Sequence, residues 1–155
     1  MVNQDPFIIA EIGINHNGNF KKAIKLIDAA KKSGVSAVKF QTYTTEKRVK
    51  KNSPIFDILK KCEFSNEDFM KIKNYCDRKK ILFFSTPFDS ESVNFLNKLN
   101  VKLFKIASFN ISDYKLINEI IKTKKPTIIS TGMASLKEIK KVSNKFKKNK
   151  IRYSL

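Results

Sequence analysis

The sequence predicts an α/β fold built on a parallel sheet, and three observations predict it. Short runs of β-branched and aromatic residues recur at 7–10, 37–41, 81–84, 102–106, 127–129 and 151–153, and apolar runs of that length read as strands buried on both faces. Between them lie stretches whose apolar residues return at helical spacing. The two kinds of segment alternate, and strand–helix–strand alternation requires parallel pairing through right-handed crossovers.

Taken in order, the strand at 7–10 leads into Glu11 and the turn Ile12-Gly13-Ile14-Asn15-His16-Asn17-Gly18, whose glycines permit close backbone approach. Phe20, Ala23, Ile24, Ile27 and Ala30 mark the first helix, with Gly34 as its C′ residue. After the strand at 37–41 comes a long polar connection, residues 42–64, read as a loop covering substrate because such lengths inside a compact domain are usually functional. Ser65 with Asp68 has capping-box spacing and opens a helix carrying Phe69, Ile72, Tyr75 and Cys76. The strand at 81–84 precedes Val93, Leu96 and Leu99, and the strand at 102–106 precedes Leu116, Ile117, Ile120 and Ile121. The strand at 127–129 is followed by a second capping box, Ser135 with Glu138, and by Leu136, Ile139, Val142 and Phe146. The result is five βα units and the start of a sixth strand at 151–153.

A chain of 155 residues with 41% apolar and 30% charged residues is expected to form one globular domain, residues 1–155. No apolar run approaches the ~20 residues of a membrane helix. Met1-Val2-Asn3-Gln4-Asp5 does not read as a leader, so the expected location is cytoplasmic. Cys62 and Cys76 sit in no CxxC pair and are expected to be reduced, buried thiols. The net charge of +18 raises the question of nucleic acid. Only Arg48, Arg78 and Arg152 are arginines, however, and base-reading and phosphate clamps prefer arginine, so no specific nucleic-acid partner is expected.

Two architectures fit the alternation. A doubly wound sheet closes at this length, whereas a (β/α)8 barrel usually needs roughly 250 residues. Polar residues at the strand ends argue for the barrel, because Glu11, Lys39 with Gln41, Ser85 with Thr86, Lys105 with Ser108, and Ser130 with Thr131 all finish or follow a strand. A barrel gathers such ends into one ring.

Lys39 and Lys105 interrupt apolar strands, and a buried ammonium requires a carboxylate or an anionic ligand. Thr86, Ser108, Ser130 and Thr131 supply hydroxyls for an anion. The alternative has both lysines reaching solvent or pairing with Glu11 and Asp89, and spacing alone does not separate the two. Glu11 is a general acid/base or a lysine counter-ion. His16, the sole histidine, is more often structural than a metal ligand when it stands alone. No GxGxxG, P-loop or Cys-His pair is present.

The segments Ala10-Glu11-Ile12-Gly13-Ile14-Asn15-His16-Asn17-Gly18, Val38-Lys39-Phe40-Gln41, Phe84-Ser85-Thr86-Pro87-Phe88-Asp89, Phe104-Lys105-Ile106-Ala107-Ser108 and Ile129-Ser130-Thr131-Gly132-Met133-Ala134-Ser135 resemble, in order, the motifs of the sialic acid synthase family. The resemblance spans nearly the whole chain and implies a (β/α)8 barrel, cut after about five βα units and part of a sixth strand. It implies a transferase that condenses phosphoenolpyruvate with an N-acetylated amino sugar such as N-acetylmannosamine and releases phosphate, some members serving surface or spore-coat polysaccharide. Lys39, Thr86, Lys105 and Ser108 would hold phosphoenolpyruvate, with Thr131 beside them, Gln41 would face the sugar, and Glu11 would transfer the proton. The family also implies a homodimer and a divalent metal, Mn2+ or Mg2+, held by two histidines.

This chain departs from that pattern in two ways. It reaches Leu155 within the sixth strand, so the two metal-binding histidines, the last barrel units and a C-terminal antifreeze-like domain of the family have no counterpart here. Where the family places a catalytic glutamate two residues after Ser108, this sequence has Asn110, whose amide does not exchange a proton near neutral pH. The chain alone is therefore expected to be inactive, and a non-catalytic remnant, or a piece completed by a second chain, is the alternative reading.

Overall fold

Strand order separates the two architectures. In the computed structural model, which describes residues 6–155, six strands form one sheet: β1 (Ile9–Gly13), β2 (Ala37–Thr42), β3 (Leu82–Pro87), β4 (Phe104–Ile106), β5 (Thr127–Ile129) and β6 (Tyr153–Ser154). Residues 1–5, from which the absence of a leader was read, lie outside the described residues. The spatial order is β1-β2-β3-β4-β5-β6, with every neighbouring pair parallel. A doubly wound sheet reverses its order at a switch point. Here the order never reverses, so right-handed crossovers deliver every helix to the same face. That is the arrangement of the barrel class.

The helices are α1 (Phe20–Lys32), α2 (Thr45–Arg48), α3 (Phe56–Cys62), α4 (Asn66–Arg78), α5 (Ser90–Lys98), α6 (Tyr114–Lys122) and α7 (Leu136–Lys148). Their apolar stripes meet alternate strand residues in one core. Val38, Phe40, Phe83, Phe104, Ile106 and Ile129 pack with Ile27, Ile72, Leu96, Ile117, Ile120, Val142 and Phe146. Because side chains alternate across a strand, the intervening Lys39, Gln41, Thr86, Lys105 and Ser130 lie on the opposite face of the sheet.

Both expected capping boxes form, at Ser65–Asp68 and Ser135–Glu138. Gly34 follows the α1 C-cap with φ +77°, as a C′ glycine does. The strand boundaries move slightly: β1 starts later than expected and continues through Glu11 to a bulge between Glu11 and Gly13.

The stretch 42–64 is not a bare loop. It folds into α2 and α3, held by a small second core of Tyr43, Leu59 and Phe88. The Tyr43 hydroxyl donates to the Leu59 carbonyl (2.9 Å), and Glu63 accepts from both the amide and the hydroxyl of Thr45 (3.0 and 2.6 Å). A four-residue helix is too short to show a periodicity, which is why the sequence reads as a loop there. Cys62 and Cys76 are buried and unbridged. Burial pushes the Cys76 thiol up to about 12, which suits packing rather than reactivity. Among the described residues no helix is long and apolar enough to cross a membrane.

A candidate anion-binding cleft at the strand ends

The C-terminal ends of β1 to β5 converge on a cleft of about 320 Å³ lined by Glu11, Lys39, Gln41, Arg48, Thr86, Phe88, Lys105, Ala107, Ser108, Phe109 and Ser130. Parallel register sets its layers. Glu11 stands beside Lys39, and Gln41 beside Thr86, so each charged or polar group reaches the cleft at a defined height.

The two strand lysines meet different fates. Lys39, 5% exposed, pairs with Glu11 at 2.8 Å and donates to the Thr86 hydroxyl at 3.3 Å. For Lys39 the counter-ion reading is realised. Lys105 has no carboxylate: its ammonium donates to the Ser130 hydroxyl and to the Ile106 carbonyl (3.1 Å). Burial, together with the positive charge of Lys39, depresses its pKa below the usual lysine value, against the opposing pull of Glu11. A half-buried cation held only by neutral oxygens is an electrostatic deficit that an anion would fill.

Asp89 is not the partner of either lysine. It caps α5 by accepting from Ser92 (2.7 Å from the amide, 2.9 Å from the hydroxyl) and accepts from the Thr44 amide at 3.1 Å. Capping orphan amides is the commoner use of an aspartate at a helix start, and here it ties the connection after β2 to that after β3.

Of the residues singled out by sequence, Glu11, Lys39, Gln41, Thr86, Lys105 and Ser108 line one cleft, and Asn110 and Thr131 do not. Asn110 closes a short 3-10 turn, Ser108–Asn110, and its buried Oδ1 has no hydrogen-bond partner among the described residues. His16 is 1% exposed and stacks on Phe64 (4.0 Å between centroids, 13° between planes). Its Nδ1 accepts from the Gly18 amide at 3.2 Å. Burial, with a smaller contribution from Lys22, lowers its pKa from 6.5 to about 4, so it is a neutral packing residue at physiological pH.

One residue at the cleft carries no sequence motif. Arg48, at the end of α2, stacks over Phe88 (3.8 Å from guanidinium carbon to ring centroid) and Tyr43 (4.6 Å) and donates to the Gln41 side-chain oxygen at 3.0 Å. The signal that marked it was its type: an arginine in a chain whose basic residues are nearly all lysine.

The donor set for a divalent metal does not fit. Among the described residues no group of three or more His, Cys, Asp or Glu side chains comes together, the one histidine is sealed against Phe64, and the Glu11 carboxylate is engaged by Lys39.

Fold and site together define a barrel-type α/β protein with a basic cleft at the C-terminal ends of its strands, the end where such barrels carry their active sites. The model of the NeuB family matches residues 26–154, and the chain belongs to that family. It is 46% identical over 133 residues to protein MJ1065 of Methanocaldococcus jannaschii, a match covering 86% of this chain and 40% of that one. It is 39% identical over 148 residues to the N,N'-diacetyllegionaminic acid synthase of Legionella pneumophila, covering 86% and 42%. The crystal structure of the N-acetylneuraminic acid (sialic acid) synthetase of Leptospira borgpetersenii superposes with a TM-score of 0.94 at 37% identity, over 97% of this chain and 53% of that one. The chain thus spans about half the length, or less, of the relatives it matches.

Proposed function

We propose that the cleft is the phosphoenolpyruvate seat of a nonulosonate synthase, an enzyme that joins phosphoenolpyruvate to an N-acetylated amino sugar and releases phosphate. The observation that carries this reading is Lys105, half-buried at a strand end with only neutral oxygens accepting from its ammonium. Phosphoenolpyruvate brings a phosphate and a carboxylate on three carbons, and charge-assisted hydrogen bonds from Lys105 and Lys39 with hydroxyls of Thr86, Ser108 and Ser130 suit those groups. Membership of the NeuB family supports the same class of reaction.

In this reading the enol carbon attacks the open-chain aldehyde of the sugar, water adds at the neighbouring carbon, and phosphate leaves with its bridging oxygen. Lys105 and Ser130 stabilise the charge that the departing phosphate gathers. Glu11, with its side chain 60% exposed and its carboxylate held by Lys39, is the proton-transfer group facing the cleft. Gln41 offers its amide to the sugar, oriented by Arg48. The divalent metal expected from the family resemblance has no donor set among the described residues, and no step is drawn through it.

Isothermal titration of the chain with phosphoenolpyruvate tests the reading. Binding is expected for the wild type, with a loss of tenfold or more, about 1.4 kcal/mol, in Lys105→Met. Undiminished affinity in Lys105→Met, or no binding by folded wild-type chain, would overturn it.

A further inference from the structure

We propose that Arg48 is a second oxyanion seat of the cleft, taking a carboxylate or phosphate that Lys105 does not hold. This rests on reading the cleft as an oxyanion site, though not on which substrate fills it. Its guanidinium lies against both Phe88 and Tyr43, two rings set edge to face at 75°, and these contacts use none of the N–H donors along its edge. That edge makes one side-chain bond, to Gln41, and among the described residues no carboxylate pairs with it. Arginine carries five N–H donors in a planar fork, so most of its donor capacity is unspent beside the cleft that it lines.

Charge points the same way. Glu11 is paired with Lys39, which leaves Lys105 and Arg48 as two cations with no carboxylate in contact, in one cleft of about 320 Å³. Burial also lowers the Arg48 pKa, against a smaller opposing effect of Tyr43, which marks the cost of holding this cation away from water. A ligand set with two separated anionic groups relieves both deficits. Residue type adds to this: the fork matches carboxylate and phosphate bidentately, as a lysine does not.

Two sources supply such a group: the second anionic end of phosphoenolpyruvate, or a phosphate on the amino sugar. The test is calorimetric titration of the whole chain with phosphoenolpyruvate, and with N-acetylmannosamine 6-phosphate with and without saturating phosphoenolpyruvate, for wild type, Arg48→Gln, Arg48→Lys and Gln41→Ala. Circular dichroism melting checks that each variant is folded, and Arg48→Lys serves where Arg48→Gln is not. Arg48→Gln is expected to weaken one of the two ligands tenfold or more, with only partial recovery in Arg48→Lys, and the ligand that weakens identifies the source. Binding of both ligands within twofold of wild type in Arg48→Gln would overturn the seat. So would a Gln41→Ala, Arg48→Gln double variant that binds both ligands no more weakly than Gln41→Ala alone, because Arg48 would then act only by positioning Gln41. If the wild type fails to bind phosphoenolpyruvate but binds the sugar phosphate through Arg48, the phosphoenolpyruvate reading falls and the seat stands. If it binds neither, both fall.

Discussion

Lys105 and His16 show how opposite environments act on single groups. Burial and the charge of Lys39 lower the Lys105 pKa, so the unfolded chain holds this proton more tightly than the folded one, and the ammonium opposes folding below its lowered pKa, an opposition that fades as pH rises past it. Lys105→Met is therefore expected to leave the urea midpoint unchanged or to raise it while binding is lost; a large fall in the midpoint would show that its hydrogen bonds to Ser130 and Ile106 outweigh the desolvation. His16 behaves differently. The unfolded ring takes up a proton below 6.5 and the folded ring only below about 4, so between those values the unfolded chain binds more protons. The His16 contribution to stability should fall as pH drops from 6.5 to about 4 and then level off, by on the order of 3 kcal/mol. Urea titrations at several pH values check this: a His16→Phe variant should lack that part of the slope, and an identical slope in the variant would contradict the assignment. Neither environment was legible in sequence, because both arise from neighbours 25 to 48 residues away, Ser130 against Lys105 and Phe64 against His16.

At the scale of elements, the turn after β1 and the connection after β2 are coupled. Gly18 has φ +71°, and a Cβ there would overlap the Lys61 carbonyl at the end of α3. Gly34 has φ +77° with nothing within 4 Å. Gly34→Ala therefore carries backbone strain alone, about 1 kcal/mol or somewhat more, whereas Gly18→Ala adds a collision with main chain. The Gly18→Ala melting temperature is expected to fall further than that of Gly34→Ala, and equal falls would mean that the close approach is not maintained in solution. The helices with long apolar stripes, α1 and, with capping boxes added, α4 and α7, were readable because propensity, periodicity and caps agree there. The pair α2–α3 was not, since Tyr43, Leu59 and Phe88 come together from both sides of β3. Arg48 was missed with it: its meaning depends on rings that only the folded connection supplies.

For the whole molecule, what the sequence left open was architecture, and strand order decided it. Length pointed to a doubly wound sheet and the polar strand ends to a barrel, and the unbroken order β1 to β6 agrees with the strand ends. The same geometry explains why the site was largely legible. Lys39, Gln41, Thr86 and Lys105 fall at the C-terminal ends of parallel strands, so the topology gathers them without any further motif. Asn110 and Thr131 follow their strands in turns, where backbone geometry rather than strand alternation sets direction, and the cleft does not include them. The charge of +18 has a divided use. With 32 basic residues against 14 acidic ones, at least 18 have no acidic partner of their own, and surface pairs such as Lys71–Glu67 and Lys122–Glu119 contribute little to stability, while Lys105 and Arg48 place positive charge without a carboxylate partner at one end of the sheet. The most direct test of the central claim is a crystal structure of the chain with phosphoenolpyruvate. The account predicts the ligand at the C-terminal strand ends, with one anionic group within hydrogen-bond distance of the Lys105 ammonium. A ligand bound instead at the opposite end of the sheet, in the groove lined by Lys102 and Arg152, would contradict it.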